Sequence, residues 1–329
     1  MLGHQALCRL HPDEAKQVRT QIREKVKAEF PGKVRETESR YGLEPAFGPS
    51  RHTVGRAVIL VHGMDDPGKV WMYLQPRLAD NGFRVWILSY PNDQPIFESA
   101  RFFFEQMQSV RKRGEATVSI VAHSMGGLVA REMLTQPGLS YPAAVAEGRV
   151  PEVDRLIMVG TPNHGSEMAH FRIFGEFRDQ LANLLKGDYA WIEGFVDGAG
   201  EAGVDMLPGS PFLDALNSRP HPGSLNMAVI AGVMDASAED DIRRFVAGMT
   251  ERLPGNMHDA AAAVGDFLTA MVRGLGDGLV SVDSATLDGY PLHIVQGSHL
   301  SIIRNVRESA ERVPPAVPVI LEYLEKARP

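Results

Sequence analysis

The chain of 329 residues carries 34 lysines and arginines against 41 aspartates and glutamates, a net charge of -7, which leaves no basic stripe to track a phosphate backbone and excludes nucleic acid as an expected partner. With 44% hydrophobic and 23% charged residues, the composition is that of a chain with a buried core and not of a disordered one. The single cysteine, Cys8, excludes an intrachain disulfide and a metal site built on cysteine pairs. The start, Met1 to Leu10, lacks the apolar stretch of a signal peptide, and no apolar run approaches the roughly 20 residues of a membrane span. A cytoplasmic, soluble protein is expected, with export left open because a cleaved leader would leave the same start.

In chain order, residues 12–30 mix charges and apolar residues at helical spacing and end at Pro31-Gly32, which predicts an amphipathic helix packed outside the core, within an extension over residues 1–50. Residues 57–61 (AVILV) form a short apolar run closed by His62-Gly63, as a buried parallel strand does. A helix follows at 68–80, a strand at 83–89, a helix at 95–112, a strand at 117–122 running into a helix at 124–134, and a strand at 155–159. This alternation of strands and helices, with strands apolar throughout, predicts an α/β fold whose mostly parallel sheet is covered on both faces. Catalytic groups then belong at the carboxyl ends of the strands.

The alternation breaks at residues 166–224 and 236–274, on either side of a strand at 226–232. Both insertions follow core strands and are expected as a helical cap or lid, leaving a core of residues 51–165, 225–235 and 275–329. In the first, Phe171, Phe174 and Phe177 stand at helical spacings. They form either an apolar cap face over a substrate groove or the inner face of a helix packed permanently on the core.

The sharpest motif is Ala122-His123-Ser124-Met125-Gly126-Gly127, a strand running into a serine and then directly into a helix. A serine there is either an ordinary helix N-cap or a nucleophile on a tight, strained turn. The buried strand before it and the upstream strand ending in His62-Gly63 favour the nucleophile. The motif resembles the nucleophile elbow of the α/β-hydrolase family, with Ala122 in place of the commoner first glycine. The resemblance runs over about residues 55–305 and is nearest the bacterial lipase and esterase branch; the chain is also similar to glycosylphosphatidylinositol deacylase-like hydrolases.

That resemblance implies an α/β-hydrolase fold with a helical cap. It implies that Met64, in Val61-His62-Gly63-Met64, and Met125 supply the two backbone amides of an oxyanion hole. His62 then fixes its loop or touches substrate. Gly160-Thr161-Pro162-Asn163-His164-Gly165-Ser166 resembles the Gly-Thr-Pro-x-x-Gly-Ser segment of lipases, and Gly276-Asp277-Gly278-Leu279-Val280 resembles their acid loop. His299 follows a final strand beginning near His293 and opens a helix, where the family's base lies. The implied triad is Ser124, Asp277 and His299, with Asp283 and Asp288 as competing acids. His164 precedes the acid and falls outside the family order, and His123 and His293 are read as structural. Leu300 stands where calcium-binding lipases have an aspartate after the histidine, so no metal and no other cofactor is expected.

The activity implied is hydrolysis of a small-molecule or lipid carboxylic ester through an acyl-enzyme, with transient contact of the cap with a lipid interface. A deacylase or acyltransferase of the same fold is the nearest alternative. A non-catalytic binding protein of the same fold is the alternative from another class, and such a protein usually lacks a triad residue.

Overall fold

The computed structural model describes residues 21, 24, 28, 31–46, 55–64, 68–166, 201–234, 276–305 and 312–326. The helix expected over 12–30 lies almost entirely outside these residues, as do Phe171, Phe174, Phe177 and the insertion at 236–274. The first elements are a helix α1 (Pro31–Glu38) and a short strand β1 (Gly42–Pro45). β2 (Ala57–Val61) follows, buried at every position. Its alternate residues serve two different cores. Ala57, Ile59 and Val61 join the cluster on one face of the sheet, and Val58 and Leu60 join the cluster on the other. A strand covered on both faces has no polar side to show, which is why its sequence reads as a continuous apolar run.

The remaining strands are β3 (Arg84–Ser89), β4 (Thr117–His123), β5 (Glu152–Val159), β6 (Asn226–Val233) and β7 (Leu292–Gln296). Among the described residues they form one sheet in the order β1-β3-β2-β4-β5-β6-β7, with β1 antiparallel and every other pairing parallel. The helices between them are α2 (Leu74–Asp80), α3 (Ile96–Lys112), α4 (Met125–Thr135) and α5 (Tyr141–Ala146). α6 (Glu201–Asp205), α7 (Pro211–Asn217), α8 (Val282–Ala285) and α9 (Ala316–Glu325) follow among the described residues. α3 and α4 supply Phe103, Met107, Leu128 and Met133 to the first cluster. Trp71, Leu74 and Leu78 pack the second together with Val317 and Ile320 of α9.

The chain runs outward from β2 to β3 and then crosses back to β4 on the other side of β2, so the winding reverses between β2 and β4. In open α/β sheets the crevice at that reversal, outside the carboxyl ends of the strands, is where ligands bind. Here it is bounded by the loop after Val61 and by Ser124.

Three expectations are corrected. The single helix at 68–80 is a 3-10 turn (Lys69–Trp71) followed by α2, because Pro76 is tolerated only in the first turn of a helix and so forces a new start at Leu74. His299 opens a turn and not a regular helix. Its carbonyl is taken by the His123 side chain, and the Ile303 amide bonds the Leu300 carbonyl instead. The strand β1, within the segment expected as a helical extension, extends the sheet at the β3 edge.

Within the expected first cap, α6 and α7 sit on the core: Val204, Leu213 and Leu216 belong to the first cluster. The Asp205 carboxylate accepts the Ile96 amide at 2.8 Å, capping the start of α3. No helix among the described residues is long and apolar enough to cross a membrane.

Candidate active site

β4 ends at His123 and α4 begins at Met125, so a single residue, Ser124, must reverse the chain from strand to helix. It does so at φ 55° and ψ -132°, a region a non-glycine residue enters only under constraint. The constraints are visible. The Ser124 amide donates to the Val159 carbonyl at 2.8 Å, and its carbonyl accepts from the Thr161 hydroxyl at 2.9 Å and from the Gly127 amide at 3.0 Å. The Ser124 side chain makes no capping bond to α4, which sets aside the ordinary N-cap reading.

Room for this turn comes from absent side chains. A Cβ on Gly126 would stand 2.3 Å from the Val61 carbonyl oxygen. One on Gly63 would stand 2.7 Å from Ser124 Cβ and 3.2 Å from its Oγ, so the loop carrying Met64 runs directly against the serine. Ala122, by contrast, is buried in the first cluster with its methyl accommodated. The departure from the usual glycine therefore leaves the turn intact. Neither the Met64 nor the Met125 amide has a hydrogen-bond partner among the described residues. Met125 is the first residue of α4, whose amide has no acceptor within the helix.

Asp277 and His299, 22 residues apart, come together at the carboxyl ends of β6 and β7. Asp277 Oδ2 lies 2.7 Å from His299 Nδ1. The other carboxylate oxygen accepts the amides of Leu279 at 2.9 Å and Val280 at 2.8 Å, and the Asp277 carbonyl accepts the His299 amide at 2.9 Å. Both are nearly enclosed, at 2% and 6% exposure, so their bond is shielded from water and its geometry is fixed. Because Nδ1 faces a carboxylate, it carries the proton and Nε2 is left free to accept one.

His299 is joined to the nucleophile turn through His123, whose Nε2 lies 3.0 Å from the His299 carbonyl oxygen. The Gly160-to-Ser166 segment lies alongside. An added Cβ on Gly160 would stand 3.1 Å from the His299 ring and 3.2 Å from Asp277 Oδ2. The Ser166 hydroxyl donates to the Leu279 carbonyl in the acid loop at 2.6 Å.

The other candidates are elsewhere. His62 is wholly buried, with Nδ1 2.7 Å from the Gly63 carbonyl and its ring stacked on Tyr90 at 4.6 Å, which suits loop fixing and not substrate contact. His164 is exposed, His293 bonds the Tyr323 hydroxyl at 3.0 Å, and Asp283 and Asp288 are exposed. Thr161 was not singled out from sequence. Its signal was its place in the Gly-Thr-Pro motif, opposite Gly127, where an added Cβ would meet its hydroxyl at 2.1 Å. No group of three metal-ligating side chains occurs among the described residues.

Several solved structures share this architecture. The mature lipase BlEst2 of Bacillus licheniformis aligns with a TM-score of 0.55 and 16% identity, over 86% of this chain and 97% of that one. The Staphylococcus hyicus lipase gives 0.53 and 12%, over 85% and 97%. The phospholipase PlaB of Legionella pneumophila gives 0.54 and 16%, over 83% of this chain and 60% of that one. These likenesses show that the chain has the α/β-hydrolase fold of those proteins. No curated protein matches the chain. Residues 98–264, about half of the chain, match the family described as "Domain of unknown function (DUF7379)", and the chain belongs to that family.

Proposed function

We propose that this protein hydrolyses carboxylic esters through a covalent acyl-enzyme on Ser124. The observation that carries the reading is the enclosed Asp277–His299 pair, 2.7 Å apart, tied to the turn that presents Ser124 at φ 55°. In this reading Ser124 Oγ attacks the ester carbonyl carbon while His299 Nε2 takes its proton. Asp277 holds the imidazole in the required tautomer and stabilises the imidazolium. The amides of Met64 and Met125 receive the developing oxyanion, each contributing about 3 kcal/mol of transition-state stabilisation. His299 returns the proton to the leaving alcohol, and water repeats the cycle to free the acid.

The lipases and the phospholipase among the structural neighbours support a lipid or lipid-like ester as the substrate class. Apart from α6 and α7, which pack on the core, we assign the insertions at 166–224 and 236–274 to a cap that meets such a substrate and count Phe171, Phe174 and Phe177 among its substrate-binding residues. Hydrolysis of p-nitrophenyl esters from short to long acyl chains tests both parts. Ser124→Ala is expected to lower kcat by about four orders of magnitude or more, because triad members act as a unit. Full activity in that variant would end the assignment. Turnover confined to short soluble esters would end the lipid reading and leave the esterase.

A further inference from the structure

His123 is the residue immediately before Ser124, and the catalytic scheme gives it no part. Its side chain is 2% exposed and therefore out of reach of any substrate. Its Nε2 lies 3.0 Å from the His299 carbonyl oxygen, and the two rings sit 4.7 Å apart, tilted by 48°. A carbonyl can only accept, so Nε2 carries the proton and donates it. Nδ1 is then a bare lone pair, buried without a hydrogen-bond partner among the described residues, beside the Trp71 ring at 6.5 Å. Leaving such an atom unsatisfied carries a desolvation cost with no bond in return. A hydrophobic residue of similar volume would avoid that cost, so packing alone does not account for an imidazole here.

We infer that His123 is a positioning residue for the base: by donating to the His299 carbonyl and packing against its ring, it locks the base loop to the nucleophile turn. The inference rests on the reading of Ser124 and His299 as nucleophile and base. Three bonds then fix His299. Asp277 holds its Nδ1 and its amide, and His123 holds its carbonyl. Without the third, the carbonyl is free to bond within its own turn, and the imidazole shifts relative to Ser124. Misplacement by about 1 Å can cost two orders of magnitude in rate.

His123 does this without adding charge. Its pKa is lowered from 6.5 to about 3, by burial first and then by the neighbouring His299, Arg304 and His62. Of the groups around it, Asp277 faces His299 and not His123. The ring therefore stays neutral beside the imidazolium formed during turnover.

The test compares His123→Gln, whose amide nitrogen reaches about as far as Nε2, with His123→Asn, which reaches only as far as Nδ1, and with His123→Phe, which has no donor. Measured on a soluble p-nitrophenyl ester, the Asn and Phe variants are expected to lose about tenfold or more in kcat with KM within about twofold. Gln is expected to recover kcat to within about threefold. The rate of fluorophosphonate labelling at Ser124 should follow kcat through the series. Wild-type kcat in the Asn variant, or no advantage of Gln over Asn, overturns the inference. If the Phe variant does not fold, the Asn and Gln pair decides alone. Ser124→Ala is run beside them: if it is inactive while His123→Asn is unaffected, this inference alone fails, and if it is active, the nucleophile reading fails and takes this inference with it.

Discussion

At Ser124 the strained backbone is held by groups that sit far away in sequence, and the glycines around it mark where chain meets chain. Gly126 is the strictest of these. An alanine there would place its methyl 2.3 Å from the Val61 carbonyl and 2.5 Å from the His62 carbonyl, both backbone atoms of the loop leading to Met64. Gly126→Ala is expected to cost about 1–3 kcal/mol and to displace the Met64 amide, lowering kcat more than it raises KM. Thermal melting with steady-state kinetics checks both parts, and unchanged kcat would contradict the placing of that loop. Ala122→Gly should leave kcat within a few-fold and cost about 1–2 kcal/mol, since it adds freedom to a strand and removes a buried methyl from the first cluster. The candidate serine was legible as a strand running directly into a helix, and the candidate acid loop and histidine through their resemblance to the motifs of the α/β-hydrolase family. The contacts of Thr161 and His123 were not, because they join positions 37 and 176 residues apart.

Among the elements, α4 carries a second device, a buried arginine. Arg131 is 1% exposed and bonds Asn163 Oδ1 and Asn217 Oδ1 at 2.9 Å each and His221 Nε2 at 3.2 Å. Its neighbour Glu132 pairs with Arg219. Asn163 in turn donates to the Ala285 carbonyl at 2.6 Å. α4, the Gly-Thr-Pro segment, α7 and α8 are thereby tied at one knot behind the site. Arg131→Leu strands three acceptors and is expected to destabilise the fold by about 3 kcal/mol or more; Arg131→Lys, lacking the fork, should recover only part of it. A denaturant midpoint unchanged in Arg131→Leu would show that the knot contributes nothing. The parallel strands and the long helices between them were readable from apolar runs and helical periodicity. β1, with the sequence Gly-Leu-Glu-Pro, has no such pattern and exists as a strand because β3 offers it an edge.

For the whole molecule, the buried His123 and the half-buried His221 contribute to how stability follows pH. His123 is lowered from 6.5 to about 3, and His221 from 6.5 to about 4, the latter by burial and then by the charges of Arg131 and Arg219. Both are neutral in the folded chain and become protonated on unfolding below about pH 6.5, so the unfolded state binds more protons there. Their contribution is fully present above pH 6.5 and is lost as pH falls toward 4 and 3. Urea midpoints should therefore drop between pH 7 and pH 5, and less so in His123→Gln. An identical drop in that variant would remove His123 from the account. Whether Ser124 is an activated nucleophile is decided by treating the whole chain with a fluorophosphonate probe and mapping the adduct by mass spectrometry. One adduct is expected, on Ser124, formed together with loss of ester turnover and greatly slowed in Asp277→Asn; no adduct, or an adduct elsewhere that accompanies the loss of turnover, would overturn the assignment of Ser124.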